Sequence, residues 1–491
     1  MKSTTSNVNN GIPSGTLLLL GAVCFITGCA VGPDYTPPEM EMPQQWPQES
    51  EFSTVTDRNA NEGWWKIFAD GQLDKLIERA VQNNRDVRAA VYRVEASRAL
   101  RDYTGGQYYP TVDATGSYTR SLLRALQFPA PEEPIDIYST GFDFLWEIDL
   151  FGRIKRSLQS SEASYQASIE DCRDVMVTLL ADVCSNYIDL RTVQERIEYL
   201  NSNIRIQTRT LELTRNLYQA EIVGELDVRQ AELNLADTKS QLPTLLIAEE
   251  ASLNALSVLI GELPGKLKDE LGSNKPPTVA RDNIEIGLPV DLLRLRPDIR
   301  RAERQLAAQT ARIGVAKADL YPALQLSGSF NIESVKFRGL GNINNKGYAF
   351  GPQLRWNIFD GNRIRNTVKL EEATTAELLA NWQNTVLSAV EDVRNAMYAY
   401  FRQKERNSSL EDSVKAALRA VELVESLYKS GLTDFQNVLD TQRTLFVQQD
   451  KLASSNGSML RDLVQIYKAF GAGWQNAPAG NTPANMQEDT K

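Results

Sequence analysis

The chain carries its own plan twice. Tyr109-Pro110-Thr111-Val112-Asp113-Ala114-Thr115-Gly116-Ser117-Tyr118 returns 212 residues later as Tyr321-Pro322-Ala323-Leu324-Gln325-Leu326-Ser327-Gly328-Ser329-Phe330, and Asp86-Val87-Arg88 returns as Asp298-Ile299-Arg300 at the same offset. Trp146-Glu147-Ile148 matches Trp356-Asn357-Ile358, and Tyr218–Val228 matches Tyr428–Val438, both 210 residues on. Matches in one order at a nearly constant offset constrain the fold to one body built from two halves. Each half reads helix, amphipathic strand, loop, amphipathic strand, very long helix, turn, helix.

The strands alternate. Phe142, Phe144, Trp146, Ile148 and Leu150 share one face, and Asp143, Glu147 and Asp149 share the other. That period of two makes a strand apolar on one side and acidic on the other. Its repeat partner sets Phe350, Leu354, Trp356 and Ile358 against Gln353, Arg355 and Asn357. Before each loop the pattern recurs, with Val112, Ala114, Gly116 and Tyr118 against Asp113, Thr115 and Ser117, then Leu324, Leu326, Phe330 and Ile332 against Gln325, Ser327, Ser329 and Glu333. Strands of roughly 10 residues can cross an outer membrane at a tilt, although a soluble antiparallel sheet alternates too. Four strands cannot close a barrel, and an open edge cannot face lipid. If they span, three chains pooling twelve strands would enclose a lumen lined by the polar face.

The helices are too long for a globule. Between Arg153 and Ala220 there is no Pro and no Gly, and Ile169, Cys172, Met176, Leu179, Val183, Tyr187, Leu190, Val193, Ile197, Leu200 and Ile204 recur at steps of mostly three and four, a heptad-like stripe. Such a helix would reach about 100 Å. The second half repeats this from Arg363 to Ser430, with Val386, Val390, Val393, Met397 and Tyr400 as its stripe. Each long helix is expected to turn at a short break, Ile222-Val223-Gly224 or Gly431-Leu432-Thr433, and return as one further helix. Strands with such hairpins describe a tube. A filament of coiled coil alone would leave the four strands unexplained.

The boundaries follow from these patterns: signal segment 1–28, anchor segment 29–70, first repeat 71–270, connector 271–295, second repeat 296–470 and tail 471–491. Within the repeats, strands are expected at about 108–120 and 139–151, then about 320–334 and 347–359, with hairpins over 153–260 and 363–470. Leu17–Ile26 is an apolar run too short to span a bilayer, and Ile26-Thr27-Gly28-Cys29 follows it. That ending resembles a bacterial lipobox, which implies diacylglycerol and acyl chains on Cys29 and a durable anchor in outer-membrane lipid. Ala30, where an Asp would retain a lipoprotein in the inner membrane, implies release to the outer one. Cys172 and Cys184 sit roughly 18 Å apart on one helix, beyond disulfide reach. A net charge of −10 without a basic stripe argues against a nucleic-acid partner, and the absence of any His removes the commonest general base and metal ligand. No cofactor other than the lipid, no metal and no catalytic residue is expected.

Further runs carry a family resemblance: Cys29-Ala30-Val31-Gly32-Pro33-Asp34-Tyr35, Trp64-Trp65 followed by Asp70, Leu288-Pro289-Val290-Asp291-Leu292-Leu293-Arg294-Leu295-Arg296-Pro297-Asp298-Ile299-Arg300, and Arg312-Ile313-Gly314-Val315-Ala316-Lys317-Ala318. With them the chain resembles the TolC-like outer membrane factors, specifically the NodT-type lipoprotein efflux branch. The resemblance implies an internally duplicated α+β membrane protein, a homotrimer with a twelve-stranded β-barrel continued by a periplasmic α-helical barrel. It implies a periplasmic adaptor and an inner-membrane pump of the resistance-nodulation-division type as partners. Protein export with an ABC-type pump and a non-porous lipid-anchored spacer are the alternatives. By resemblance, Ile222, Val223, Gly224, Gly431, Leu432 and Thr433 are the adaptor-contact tips, with Glu221 standing where relatives carry Gly, so that Gly224 is left to supply the bend. The same resemblance makes Gln436, Asn437 and Asp440 the periplasmic aperture, with Asp227 the first-half equivalent of Asn437.

Overall fold

In the computed structural model of the chain, residues 30–42, 53–54, 63–122, 133–272, 277, 285–286 and 296–476 are described. Cys29 and the signal segment lie outside them, as do the Leu288–Leu295 run and most of the tail. The four long strands are β1 (Thr111–Ser121), β2 (Ile135–Ile148), β3 (Ala323–Ser334) and β4 (Lys346–Arg355), forming one antiparallel sheet in that order, and Ser53–Thr54 pairs in parallel with Glu285–Ile286. The helices are α1 (Gly71–Asn83), α2 (Arg85–Gly106), α3 (Arg153–Gln219), α4 (Glu225–Ser240), α5 (Leu242–Leu259), α6 (Leu267–Leu271), α7 (Pro297–Ala318), α8 (Arg363–Lys429) and α9 (Phe435–Ala469). At 67 residues each, α3 and α8 are the long helices that the Pro- and Gly-free runs predict.

The chain divides into two compact units. One takes Met1–Pro38, Glu95–Ala167 and Glu303–Asn381 and contains the sheet. The other takes Glu39–Val94, Ser168–Ala302 and Trp382–Lys491 and contains the hairpin turns. The apolar core of the second unit gathers Phe68, Leu73, Leu76, Ile77, Leu180, Val183, Tyr187 and Leu190, all essentially inaccessible. Trp64 stacks on Tyr467 with ring centroids 4.9 Å apart. Asp70 caps α1, accepting from the Gln72 and Leu73 amides, and also receives the Tyr187 hydroxyl at 2.6 Å. The Trp-Trp…Asp signature is thus a core plug followed by a helix cap. Cys172 and Cys184 are free thiols on α3, and burial raises the Cys184 thiol.

The duplication extends to single hydrogen bonds. Asn84 caps α2 and donates its side-chain amide to Leu259 O at 2.9 Å. Its counterpart Arg296 precedes α7, pairs with Asp298 and donates to Ala469 O at 2.8 Å. Both therefore tie the start of a short helix to the end of that half's returning hairpin, one with an amide and one with a guanidinium.

Three expectations need correction. The second strand of each half stops early, at Ile148 rather than 151 and at Arg355 rather than 359. In the first half the reason is the helix that follows, since Asp149 accepts from the Lys155 amide and commits Leu150 and Phe151 to a capping turn. In the second half β4 ends with its partner, Arg355 lying opposite Ala323, the first residue of β3. The first-half hairpin does not return as one helix. It breaks at Gln241 between α4 and α5, because Pro243 has no amide hydrogen to continue the ladder. The second-half return, α9, is unbroken over 35 residues.

Candidate functional site

The register of the sheet aligns apolar with apolar across all four strands. Val112, Phe144, Gly328 and Phe350 form one cross-strand row; Ala114, Phe142, Phe330 and Tyr348 form the next. On the other face Asp113 lies opposite Asp143 and then Ser329, while Glu147 lies opposite Gln325 and then Gln353. Like carboxylates directly opposite each other are tolerated only where water screens them, so this face is a wet one. The apolar face is not covered: Phe142, Phe350, Tyr348 and Leu354 are all largely exposed, unlike a sheet packed on a soluble core. At the strand ends Trp146 donates its indole N–H to Tyr108 O at 2.9 Å, and Trp356 donates to Leu320 O at 3.1 Å. Both carbonyls belong to the residues just before each half's first strand. Aromatic residues with one wet and one apolar end suit a membrane–water boundary.

At the hairpin turns the two halves are superimposable in their bonding. The Ile222 amide donates to Leu217 O and the Glu221 amide to Tyr218 O, both at 2.9 Å. Leu432 donates to Leu427 O and Gly431 to Tyr428 O in the same way. Each is a Schellman motif, whose C′ residue must take the left-handed conformation. Gly431 does so at φ 69°, and Glu221 does so at φ 60°. The bend in the first tip is therefore made by Glu221 itself; Gly224, at φ −80°, only precedes α4. The 6→1 and 5→2 hydrogen bonds fix the geometry, and Glu221 bears the strain that Gly would avoid. Ile222 and Leu432 project into solvent at 67% and 73% exposure.

On α9, Phe435, Val438 and Leu439 turn inward, while Gln436, Asn437 and Asp440 are exposed together on the opposite side. Gln436 donates to Asp440 at 3.1 Å and Asn437 to Thr433 at 3.0 Å. Asp227 does not share that open position. It is half-buried and accepts the Tyr428 hydroxyl at 3.4 Å. Burial, and then the Asp227 carboxylate, raises the Tyr428 phenol. A ladder of polar contacts, invisible in the apolar periodicity, holds α9 to α3: Arg461 to Asp189, Arg196 to Asp450 at 2.7 Å, Asn203 to Gln449 and Gln442 to Thr210, both at 2.8 Å. The α3 members recur every seven residues, the spacing at which a helix returns the same face to its neighbour. That spacing is the sequence signal that could have found them.

Comparison with known proteins fits this geometry. The family model described as outer membrane efflux protein matches residues 76–262 and 288–472, one match in each half. The chain belongs to the outer membrane efflux protein family. It is 33% identical over 474 residues to the solvent efflux pump outer membrane protein SrpC of Pseudomonas putida, covering 94% of this chain and 98% of that one. It is 31% identical over 460 residues to nodulation protein T of Rhizobium leguminosarum bv. trifolii, covering 92% and 96%. Among solved structures, the outer-membrane channel OprN is 34% identical with a TM-score of 0.85 and covers 91% of this chain and all of that one. The open state of the Neisseria gonorrhoeae MtrE outer membrane channel is 26% identical with a TM-score of 0.79, covering 91% and 99%. The protein is thus an outer-membrane channel of an efflux system in Gram-negative cells, extending into the periplasm, and its relatives are channel proteins rather than enzymes. The soluble-sheet and spacer readings fall with that membership.

Proposed function

We propose that three copies of this chain close a twelve-stranded barrel and pass small molecules outward as a passive conduit, catalysing no reaction. The observation that carries this reading is the four-stranded sheet, in which β1 and β4 each have a single partner. Every unpaired backbone group in hydrocarbon costs several kcal/mol, and pairing β4 of one copy with β1 of the next satisfies them all. A second support comes from α5. The apolar stretch of α5 exposes Leu246, Ile247 and Val258 in the single chain. Glu249 accepts from Gln194 in the middle of that stretch, with Glu250 beside it, so a neighbouring copy covers these side chains better than lipid does.

In this reading an inner-membrane pump of the resistance-nodulation-division type supplies the energy. A periplasmic adaptor meets the tips at Ile222, Val223, Gly224, Gly431, Leu432 and Thr433. Three Asp440 side chains, with Gln436 and Asn437, ring the mouth and favour cations. The only covalent group is the lipid on Cys29. The solvent and toluene efflux pumps among the relatives support small apolar molecules as cargo. Reconstitution of the purified protein in planar bilayers tests the reading: discrete conductance steps and a trimer mass by light scattering are expected. A monodisperse monomer that passes no current would overturn it.

A further inference from the structure

We propose that the folded body contains a built docking site for the peptide following Cys29, which reads Ala30-Val31-Gly32-Pro33-Asp34-Tyr35 and fixes the lipid anchor beside the end of β2. The inference rests on the reading that Cys29 is acylated, and it assigns the reason for that peptide's sequence. Arg156, in the first turn of α3, is the centre of the site. Its side chain is only 5% exposed. The guanidinium donates through Nε to Val31 O and through Nη2 to Gly32 O, both at 3.1 Å, and pairs with Asp34 at 2.8 Å. Asp34 is almost fully solvated, so the carbonyl contacts from a buried cation carry the interaction. The Val31 amide completes it by donating to Phe151 O at 3.1 Å.

Close approach of backbones does the rest. Gly32 sits at φ +95°, and a Cβ there would lie 2.5 Å from the Gly314 Cα. A Cβ on Gly152 would meet Ala30 at 2.6 Å, and one on Gly314 would meet Arg156 at 2.7 Å. At the far end the Tyr35 hydroxyl donates to Glu303 at 3.2 Å, and its ring packs on Ala163, Ala307 and Ala308. Gly314 lies inside α7, where glycine weakens a helix and so needs a packing reason. The duplication supplies an independent argument. At the offsets of the repeat, Arg156 corresponds to Asn366 and Gly314 to Asp102. Neither residue is shared between the halves, as expected of a site for a segment that occurs once. Because consecutive Cα atoms are about 3.8 Å apart, docking Ala30 against Gly152 tethers the acylated residue within one peptide of the turn after β2.

Hydrogen–deuterium exchange on the full-length, detergent-solubilised protein tests this. In wild type the Val31 amide, bonded to Phe151 O, should exchange slowly, as the reporter for the docked segment. Arg156→Ala, which removes the donors, and Gly314→Leu, which fills the cleft while favouring the helix, should each accelerate that exchange roughly tenfold or more. Protection of the β2–β3 ladder around Phe142 and Phe330, in the same unit, should be unchanged, showing that the body remains folded, and palmitate label on Cys29 should stay at the wild-type level. A Val31 amide that exchanges in wild type like a free peptide, or that retains protection in both variants, would overturn the proposal. Persistent protection without palmitate in wild type would instead remove the acylation reading and leave the docking site standing.

Discussion

Glu221 offers the sharpest test of how the tips are held. A non-glycine residue in the left-handed region pays about 1–2 kcal/mol relative to the right-handed one, and glycine at the same position avoids that cost. Glycine also loses more backbone freedom on folding, by roughly 0.5–1 kcal/mol. Glu221→Gly should therefore stabilise the turn by a net ~0.5–1 kcal/mol, the difference between these two effects. The structure names the reporter: the Ile222 amide, bonded to Leu217 O at 2.9 Å, exchanges only when the Schellman motif opens. A gain of that size should slow its exchange about two- to fivefold. Gly431→Ala in the second tip should do the reverse to the Leu432 amide, since Gly431 holds the same conformation at φ 69°. Glu221→Ala separates backbone from charge, because alanine keeps the strain and removes the carboxylate. It should exchange like wild type or faster. If Glu221→Ala slows exchange as much as Glu221→Gly, the effect is electrostatic and the argument from backbone strain is wrong.

Four further outcomes follow from other parts of the chain. Cys29→Ser should abolish palmitate incorporation while leaving some barrel inserted, and equal labelling of variant and wild type would refute acylation at this residue. Asp440→Ala should reduce cation selectivity of single channels most at low ionic strength, where screening is weakest; unchanged selectivity there would move the aperture away from α9. Tyr187→Phe keeps the buried ring but removes the 2.6 Å bond to Asp70, so chemical denaturation should show a loss of about 1.5–3 kcal/mol, the range for a bond to a charged group. An unmoved midpoint would show that the bond contributes nothing. Burial raises the Asp462 carboxyl, and Arg461 only partly opposes it. The fold therefore favours its protonated form and is penalised when rising pH ionises it. Asp462→Asn should raise the melting temperature at neutral pH, with the gain vanishing as pH falls through the raised pKa. A gain that persists in acid would contradict that assignment.

Much of this protein was legible from periodicity. The period-two runs around Phe142 and Phe330 and the Pro-free, Gly-free runs from Arg153 and Arg363 fixed the type and order of the sheet strands and the two 67-residue helices, because side-chain alternation and uninterrupted backbone bonding are local properties. The repeat offsets also identified which residues would do equivalent work, as the paired Trp146 and Trp356 indole bonds show. Three things needed the tertiary structure. Where the strands end was decided in the first half by Asp149 reaching forward to cap the next helix, a competition between two elements for the same residues, and in the second by where the partner strand begins. That Glu221 rather than Gly224 makes the turn was decided by helix-end hydrogen bonds that outweigh a residue's intrinsic preference. That Arg156 and Gly314 hold the segment after Cys29 was decided by residues more than a hundred positions apart meeting in space, and no local pattern in a sequence encodes such a meeting.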